Sequence, residues 1–261
     1  SPSPAVNHQL RQAMGDAAVT AAKAVDYIGA GTVEFMLSPK GDFYFLEMNT
    51  RLQVEHPVTE MTTGIDLVQK QFEVAAGLQL GIAQSDVGMS GHAIEARIYA
   101  EDASKGFLPV VGRLALWKPP HGPGIRVDSG VRQGDVVTTD FDPMLAKLVV
   151  HAPTRQAALR RLDAALADLV ALGVTTNIGF LRNAAAHHAF ASGSITTEFL
   201  DSAPISEFAE PGADPSVLVA IASAAQRLGM ERAPSDIASG SVDEHTGHSG
   251  DPFRTLSRSF P

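Results

Sequence analysis

Apolar residues at helical spacing mark the start of the chain. Leu10, Met14, Ala17, Ala21 and Val25 share one helix face, with Asn7 as the N-cap and Gly29 and Gly31 beyond the end. The pattern then changes to strands. Thr32–Leu37 and residues 42–48 are rich in aromatic and branched side chains, with Ser38-Pro39-Lys40-Gly41 as the turn between them. Pro57 is expected to block any helix that follows, so residues 59–64 read as loop. A second helix starts near Asp66, carries Leu67, Phe72, Val74 and Ala75 as core candidates, and stops at Gly77.

A change of texture at residues 87–90 predicts a domain boundary. Residues 91–100 alternate cleanly, with His92, Ile94, Ala96 and Ile98 on one face and Ala93, Glu95, Arg97 and Tyr99 on the other. Further strands are expected at residues 112–117, Ile125–Ser129 and residues 144–151, the last apolar enough to be buried on both faces. Pro119, Pro120, Gly122, Pro123 and Gly124 mark an irregular connection. Thr154 caps an amphipathic helix with Leu159, Leu162, Leu166, Leu169 and Val170 facing inward and Gly173 at its end. One more helix covers residues 178–187, where His187 and His188 read as a surface pair pointing apart. From Asp201 the pattern fades except for a helical patch at 215–228, and beyond Met230 the composition is that of a linker.

The polar positions inside the hairpin carry the candidate chemistry. An even-numbered loop, whether Lys40-Gly41 or Ser38 to Gly41, puts Glu34 and Glu47 on the same face. Two carboxylates that close repel by about 0.2–1 kcal/mol, so keeping both implies a compensating cation. Asn49 adds a neutral oxygen on the same parity, and two carboxylates with one amide oxygen suit Mg²⁺, with phosphate and water completing its shell. If the chain stays extended, Arg51, Gln53 and Glu55 project the same way. The competing reading is a solvated outer face, which more commonly carries Lys and Thr. His56, beside Pro57, reads as a structural hydrogen-bonder rather than a metal ligand.

Composition changes this picture mainly by exclusion. A net charge of -9 argues against a nucleic-acid partner, and the absence of cysteine excludes disulfides and thiolate metal sites. No run approaches transmembrane length and no signal-peptide pattern opens the sequence, so no membrane partner and a cytoplasmic setting are expected. The 44% hydrophobic share of 261 residues is enough for a sizeable core in one large domain or two ordinary ones. Ser1 in place of Met, the loop-like Ser1-Pro2-Ser3-Pro4 and the abrupt Ser259-Phe260-Pro261 lead to the expectation of a piece of a longer protein.

Residues 47–68, E-M-N-T-R-L-Q-V-E-H-P-V-T-E-M-T-T-G-I-D-L-V, resemble the biotin carboxylase branch of the ATP-grasp enzymes. G-A-G-T-V-E-F at 29–35, G-H-A-I-E-A-R-I-Y-A-E-D at 91–102, F-L-P at 107–109, D-P-M-L-A-K-L at 142–148 and G-V-T-T-N-I-G-F-L at 173–181 are similar to the same family, in its order. The resemblance covers roughly residues 3–200. It implies an α+β fold: residues 1–88 as the C-terminal half of an ATP-grasp domain, then 89–200 as a biotin carboxylase C-terminal α+β domain. Residues 201–261 would be the helical patch and linker.

In that family ATP activates bicarbonate to carboxyphosphate, and the CO₂ released carboxylates N1′ of biotin on a carrier domain. Carried over residue by residue, the resemblance implies that Glu34, Glu47 and Asn49 bind Mg²⁺, with Mn²⁺ as the alternative ion. Glu34, Met36 and Glu47 would contact ATP, with residues 195–200 near the adenine. Arg51, Gln53 and Val54 would hold bicarbonate, Glu55 would deprotonate it, and Arg97 would stabilise the biotin enolate. Spacing alone favours a different reading of Arg97, a salt bridge to Glu95 or Glu101 on its own strand face.

The family's N-terminal domain, its Gly-rich lid with the phosphate-gripping lysines, and the M-K-M biotinylation sequence are not found in this sequence. The resemblance therefore implies a biotin carrier domain and a carboxyltransferase subunit as outside partners, homodimer contacts through the second domain, and no activity for this segment alone. The parent would be the alpha subunit of a biotin-dependent acyl-CoA carboxylase. The alternatives are a non-catalytic truncated module serving subunit contacts, and another ATP-grasp ligase such as a carbamoyl-phosphate synthetase relative.

Overall fold

Asn7 opens the first helix, its Oδ1 accepting from the Leu10 amide at 2.9 Å in the computed structural model, which describes residues 1–202. These residues belong to one compact unit; the helical patch expected at 215–228 lies outside them. Helix α1 (His8–Ala24) keeps Leu10, Met14, Ala17 and Ala21 half-buried, but Val25 is its exposed C-cap. Strands β1 (Thr32–Leu37) and β2 (Phe43–Asn49) form the expected antiparallel hairpin with Glu34 opposite Glu47.

That pairing arises by a route parity did not anticipate. The Ser38 amide donates to the Asp42 carbonyl at 2.8 Å and the Gly41 amide to the Ser38 carbonyl at 3.0 Å, with Gly41 at φ 91°. Three residues lie between Ser38 and Asp42, an odd loop that by itself would set Leu46 against Glu34. A register shift between Glu34 and Phe35 makes Leu46 a bulge and returns Glu47 to Glu34. Phe35, Phe43 and Phe45 meet edge-to-face on the opposite side of the hairpin.

The stretch expected to be loop is helix α2 (His56–Thr63), with Pro57 in its first turn and Gly64 as a left-handed C-cap. Proline is well suited there, because the first-turn amides have no intrahelical acceptor to lose. Helix α3 (Leu67–Ala75) follows with Asp66 Oδ1 accepting from Gln69 N at 2.7 Å. Its expected core is largely unburied: Phe72 is 74% exposed, and no residue of α3 is fully buried.

The second half is built on a three-stranded antiparallel sheet. Strand β3 (His92–Tyr99) forms one edge; the short β4 (Glu101–Asp102) and β5 (Leu108–Pro109) pair with each other beyond it. Strands β6 (Gly112–Arg113), β7 (Leu116–Lys118), β8 (Ile125–Ser129), β9 (Val136–Val137) and β10 (Met144–Ala152) follow, and the main sheet has the order β3-β10-β8. Helix α4 (Arg155–Asp168), capped by Thr154, packs Ala158, Leu162, Ala165 and Leu166 against Ile94, Ala96, Ile98, Leu148 and Val150. The helix stops before Leu169. Val170 begins strand β11 (Val170–Leu172), which pairs with β7, and Gly173 ends that strand rather than the helix. At φ 106°, a Cβ on Gly173 would strike the Arg113 carbonyl. The chain closes with α5 (Ile178–Ala186), α6 (His188–Ser192) and α7 (Phe199–Ser202). His187 breaks the helix between α5 and α6, so the two histidine rings lie 4.4 Å apart instead of diverging.

Leu148 is fully buried at the centre of this core. Leu148→Ala should lower the unfolding free energy by about 2–5 kcal/mol. Urea denaturation followed through Trp117, the single tryptophan, would read it; a loss well under 1 kcal/mol would mean the sheet does not carry the core.

Candidate active site

Two polar clusters meet along residues 49–56. The first is the acid face of the hairpin. Asn49 Nδ2 donates to Glu34 Oε1 at 2.8 Å and to Glu47 Oε1 at 3.0 Å, and Gln53 Nε2 donates to Glu34 Oε1 at 2.8 Å. Arg51 Nη2 donates to Asn49 Oδ1 at 3.3 Å and Nη1 to the Leu52 carbonyl at 3.3 Å. Both carboxylates thus converge on one point, now taken by an amide nitrogen. Rotating the Asn49 amide by half a turn would present its oxygen instead, with Arg51 giving up its bond to that oxygen, and the donor set would then be hard oxygens of the kind that fit Mg²⁺. Among the described residues there is no group of three or more His, Cys, Asp or Glu placed to hold a metal. A cation here would rest on two acids, one amide and its nucleotide's phosphates. Met36 lies on the same strand face as Glu34, paired with Tyr44, and is half exposed.

The extended path expected to carry Glu55 ends with β2 at Asn49; the chain bends at Arg51 and turns after Gln53. The His56 amide turns back to the Gln53 carbonyl at 3.2 Å, and Glu55 has φ -82° and ψ 8° as the N-cap residue of α2. His56 Nδ1 lies 2.8 Å from the same Gln53 carbonyl, the structural bond expected of it. This turn swings Glu55 away from the hairpin acids and towards the sheet.

The second cluster is the sheet face turned away from α4. Alternation puts Glu95, Arg97 and Tyr99 of β3 on this side with Lys147 of β10 opposite Arg97 and Asp128 of β8 opposite Lys147. Arg97 Nη2 donates to Glu55 Oε2 at 2.7 Å, while its Nε stands 4.0 Å from Glu95 Oε1. The Arg97–Glu55 contact is the closer of the two, so the same-strand salt bridge favoured by spacing is the weaker one. Lys147 Nζ donates to the Val54 carbonyl at 2.9 Å and lies 3.4 Å from Asp128. Arg126 forks onto Asp128 at 2.8 and 2.9 Å and reaches Glu60 of α2 at 2.6 Å. Glu60 in turn accepts the Leu67 amide at 2.8 Å, tying α2 to α3. Glu95 is buried without a hydrogen bond to either carboxylate oxygen. Loss of hydration raises its pKa to about 7, with Lys147 and Arg97 opposing the rise and Glu55 and Asp128 adding to it.

The candidate residues between Glu34 and Arg97 lie in or beside these clusters, whereas of residues 195–200, expected near the adenine, Ile195 lines a cavity with Ser1 and Arg155 and Phe199 packs on His187 and Phe190. Glu34, Glu47, Asn49, Arg51 and Gln53 are hydrogen-bonded together; Val54 and Glu55 are joined to the sheet through Lys147 and Arg97. Lys147, Arg126 and Asn177 were missed. Asn177 is buried and pins the free edge of β3 beside Arg97. Its Oδ1 accepts from the Tyr99 amide at 3.0 Å, and its Nδ2 donates to the Arg97 carbonyl at 3.1 Å. The signal for Lys147 was a lone cation inside the otherwise apolar run of β10.

Residues 1–83 match the ATP-binding domain of the carbamoyl-phosphate synthase L chain, a model that does not by itself separate the branches of the ATP-grasp group. Residues 95–202 match the biotin carboxylase C-terminal domain. The chain therefore carries the C-terminal domain of biotin carboxylases. The methylcrotonoyl-CoA carboxylase alpha subunit of Rattus norvegicus, a mitochondrial protein, is 50% identical over 201 residues, 77% of this chain and 28% of the relative. Chloroplastic biotin carboxylase 1 of Populus trichocarpa is 49% identical over 200 residues, 77% of this chain and 38% of its own length. This chain therefore spans between a quarter and two fifths of those biotin carboxylase relatives.

Among solved structures, the biotin carboxylase domain dimer of Hydrogenobacter thermophilus 2-oxoglutarate carboxylase, in complex with MgADP, ADP and bicarbonate, superposes with a TM-score of 0.78. It is 42% identical, over 81% of this chain and 46% of that one. The α+β architecture of biotin carboxylases is thereby that of this chain. Among the described residues no helix is long and apolar enough to cross a membrane.

Proposed function

We propose that this chain supplies the metal-binding and carboxylating part of a biotin carboxylase within an acyl-CoA carboxylase. In this reading ATP activates bicarbonate, and the carboxyl group passes to biotin on a carrier domain outside the chain. The observation that carries the proposal is the Glu55–Arg97 pair at 2.7 Å. A carboxylate at the turn into α2 and a guanidinium on β3, 47% and 42% exposed, face each other. A base and an anion-stabilising cation within one small molecule of each other is what proton removal from bicarbonate and enolisation of a ureido group both require.

Residues 1–88 form the C-terminal half of an ATP-grasp domain and residues 89–200 the biotin carboxylase C-terminal domain. Arg51, with Gln53 and the Val54 backbone, holds bicarbonate as a planar oxyanion. Glu55 accepts the bicarbonate proton at its exposed carboxylate, and Arg97 steadies the negative charge that develops on the biotin ureido oxygen. Glu34, Glu47 and Asn49 would hold Mg²⁺ or Mn²⁺, which would supply positive charge to offset that of the nucleotide phosphates. Met36 packs near the adenine. Biotin carrier, carboxyltransferase and a second copy of the chain are the partners, the last supported by the dimer named for the Hydrogenobacter neighbour. A cytoplasmic setting rests on composition alone, and the relatives above carry organellar names.

The test is ATP cleavage by the full-length carboxylase. It should require bicarbonate and rise on adding free biotin. Cleavage stimulated by ammonia and indifferent to biotin would overturn the reading in favour of a carbamoyl-phosphate synthetase relative.

A further inference from the structure

Glu95 is buried in the candidate site, yet the proposed chemistry gives it nothing to do. Its side chain is 5% exposed and both carboxylate oxygens lack a hydrogen-bond partner. Keeping a carboxylate in such a place is costly unless a charge nearby needs it. The charged groups that act on it are Lys147 on β10, Arg97 on its own strand, Glu55 at the turn into α2 and Asp128 on β8, and the Ser1 amino terminus and Arg155 of α4 line the same cavity as Glu95.

Within the ion pairs of this sheet face the charges balance without Glu95. Arg97 pairs with Glu55, Lys147 with Asp128, and Arg126 with Glu60 and Asp128, giving three cations against three anions. Burial accordingly holds Glu95 protonated up to about pH 7, and the negative charges of Glu55 and Asp128 add to the effect. The balance changes when Glu55 takes a proton. Arg97 then loses the partner at 2.7 Å, and the next carboxylate is Glu95, 4.0 Å from its Nε.

We propose that Glu95 is a positioning residue for Arg97, a second and buried counter-ion that holds the guanidinium in place when Glu55 gives up its charge. Glu55 gains its proton from the substrate, and Glu95 releases its own to water as it becomes charged. The geometry stands without any enzymatic activity; only its use in turnover rests on the function proposed above. Arg97 thereby keeps an anionic partner, and its aim does not depend on the protonation state of the base.

The contact can be tested on the 261-residue chain. Carbon-detected NMR of labelled arginine, assigned with Arg97→Lys, follows the Arg97 Nε–Cζ resonance from pH 5.5 to 8.5, an interval chosen to bracket the carboxyl near 7. The wild-type resonance should titrate with a midpoint near 7. Glu95→Gln should abolish that midpoint, and Glu55→Gln should move it to lower pH by removing a neighbouring negative charge. A flat wild-type titration, which needs no variant, overturns the proposal; so does a midpoint that survives Glu95→Gln or stays put in Glu55→Gln.

In the full-length carboxylase, Glu95→Gln should lower kcat for biotin carboxylation roughly tenfold and flatten its pH profile, with KM for ATP unchanged. Unchanged kcat and pH profile would overturn the positioning role even if the contact is found. The NMR midpoint reports on the contact whether or not the full-length protein carboxylates biotin, so failure of the inference and failure of the proposed function are distinguishable.

Discussion

Glu55→Gln in the full-length carboxylase should cut biotin carboxylation by about 10²–10⁴-fold, the usual contribution of a positioned general base. The substitution is close to isosteric. Its amide oxygen can still accept from Arg97, but no longer takes a proton at neutral pH. Structural damage should be slight, because the Glu55 side chain makes no capping hydrogen bond to α2 although the residue stands at the N-cap position. The helix is held instead by buried Pro57 and by Glu60, which bonds both Arg126 and the Leu67 amide. MgADP affinity should therefore be unchanged while turnover collapses. Steady-state kinetics with free biotin and calorimetric titration of nucleotide would separate the two. Turnover within a few-fold of wild type would remove Glu55 from the base role.

Glu47→Lys should weaken MgADP binding by about 100-fold or more, since loss even of groups behind a metal's ligands costs 10–100-fold. Asn49 bridges the two acids, its nitrogen 2.8 and 3.0 Å from them. A lysine ammonium at this position would enter the same space, pair with Glu34 and occupy the place a dication needs. Folding should not suffer, because the change also replaces a like-charge cross-strand pair by an opposite one, a gain of about 0.2–1 kcal/mol. Calorimetry of MgADP binding, with a thermal melt as control, gives the result. Undiminished affinity in a folded variant would sink the metal assignment.

Much of the site was readable because it depends on short-range alternation. Asn49 and Gln53 do reach the Glu34 and Glu47 carboxylates, although the chain bends at Arg51 instead of staying extended. Glu55 broke the series because a turn is set by the carbonyl–amide geometry of Gln53 and His56, which alternation cannot see. Pro57 was read as a stop when it was a start; the residue has both uses, and only the buried side chains around it choose between them. Arg97 shows the opposite difficulty. Its local neighbour Glu95 was legible, but its closer partner lies 42 residues earlier in the chain. Periodicity makes Phe72 a core candidate and puts Val25 on an apolar helix face, and it finds such a face without saying what covers it. Strand β11 was lost inside a helical reading because Leu169 and Val170 fit the inward face of α4 as well as they fit a strand.

The bulge at Leu46 lets one hairpin satisfy two incompatible registers. Towards the turn, the pairing of Leu37 with Phe43 and of Phe35 with Phe45 aligns the aromatic rings on one side. Past Leu46 the pairing advances by one residue, and the acids face each other on the other side. The two ends of the hairpin are thereby insulated. A strained or altered turn can be absorbed at the bulge without rotating Glu47 away from Glu34, so the loop at residues 38–42 is free to vary while the geometry of the acids is inherited intact.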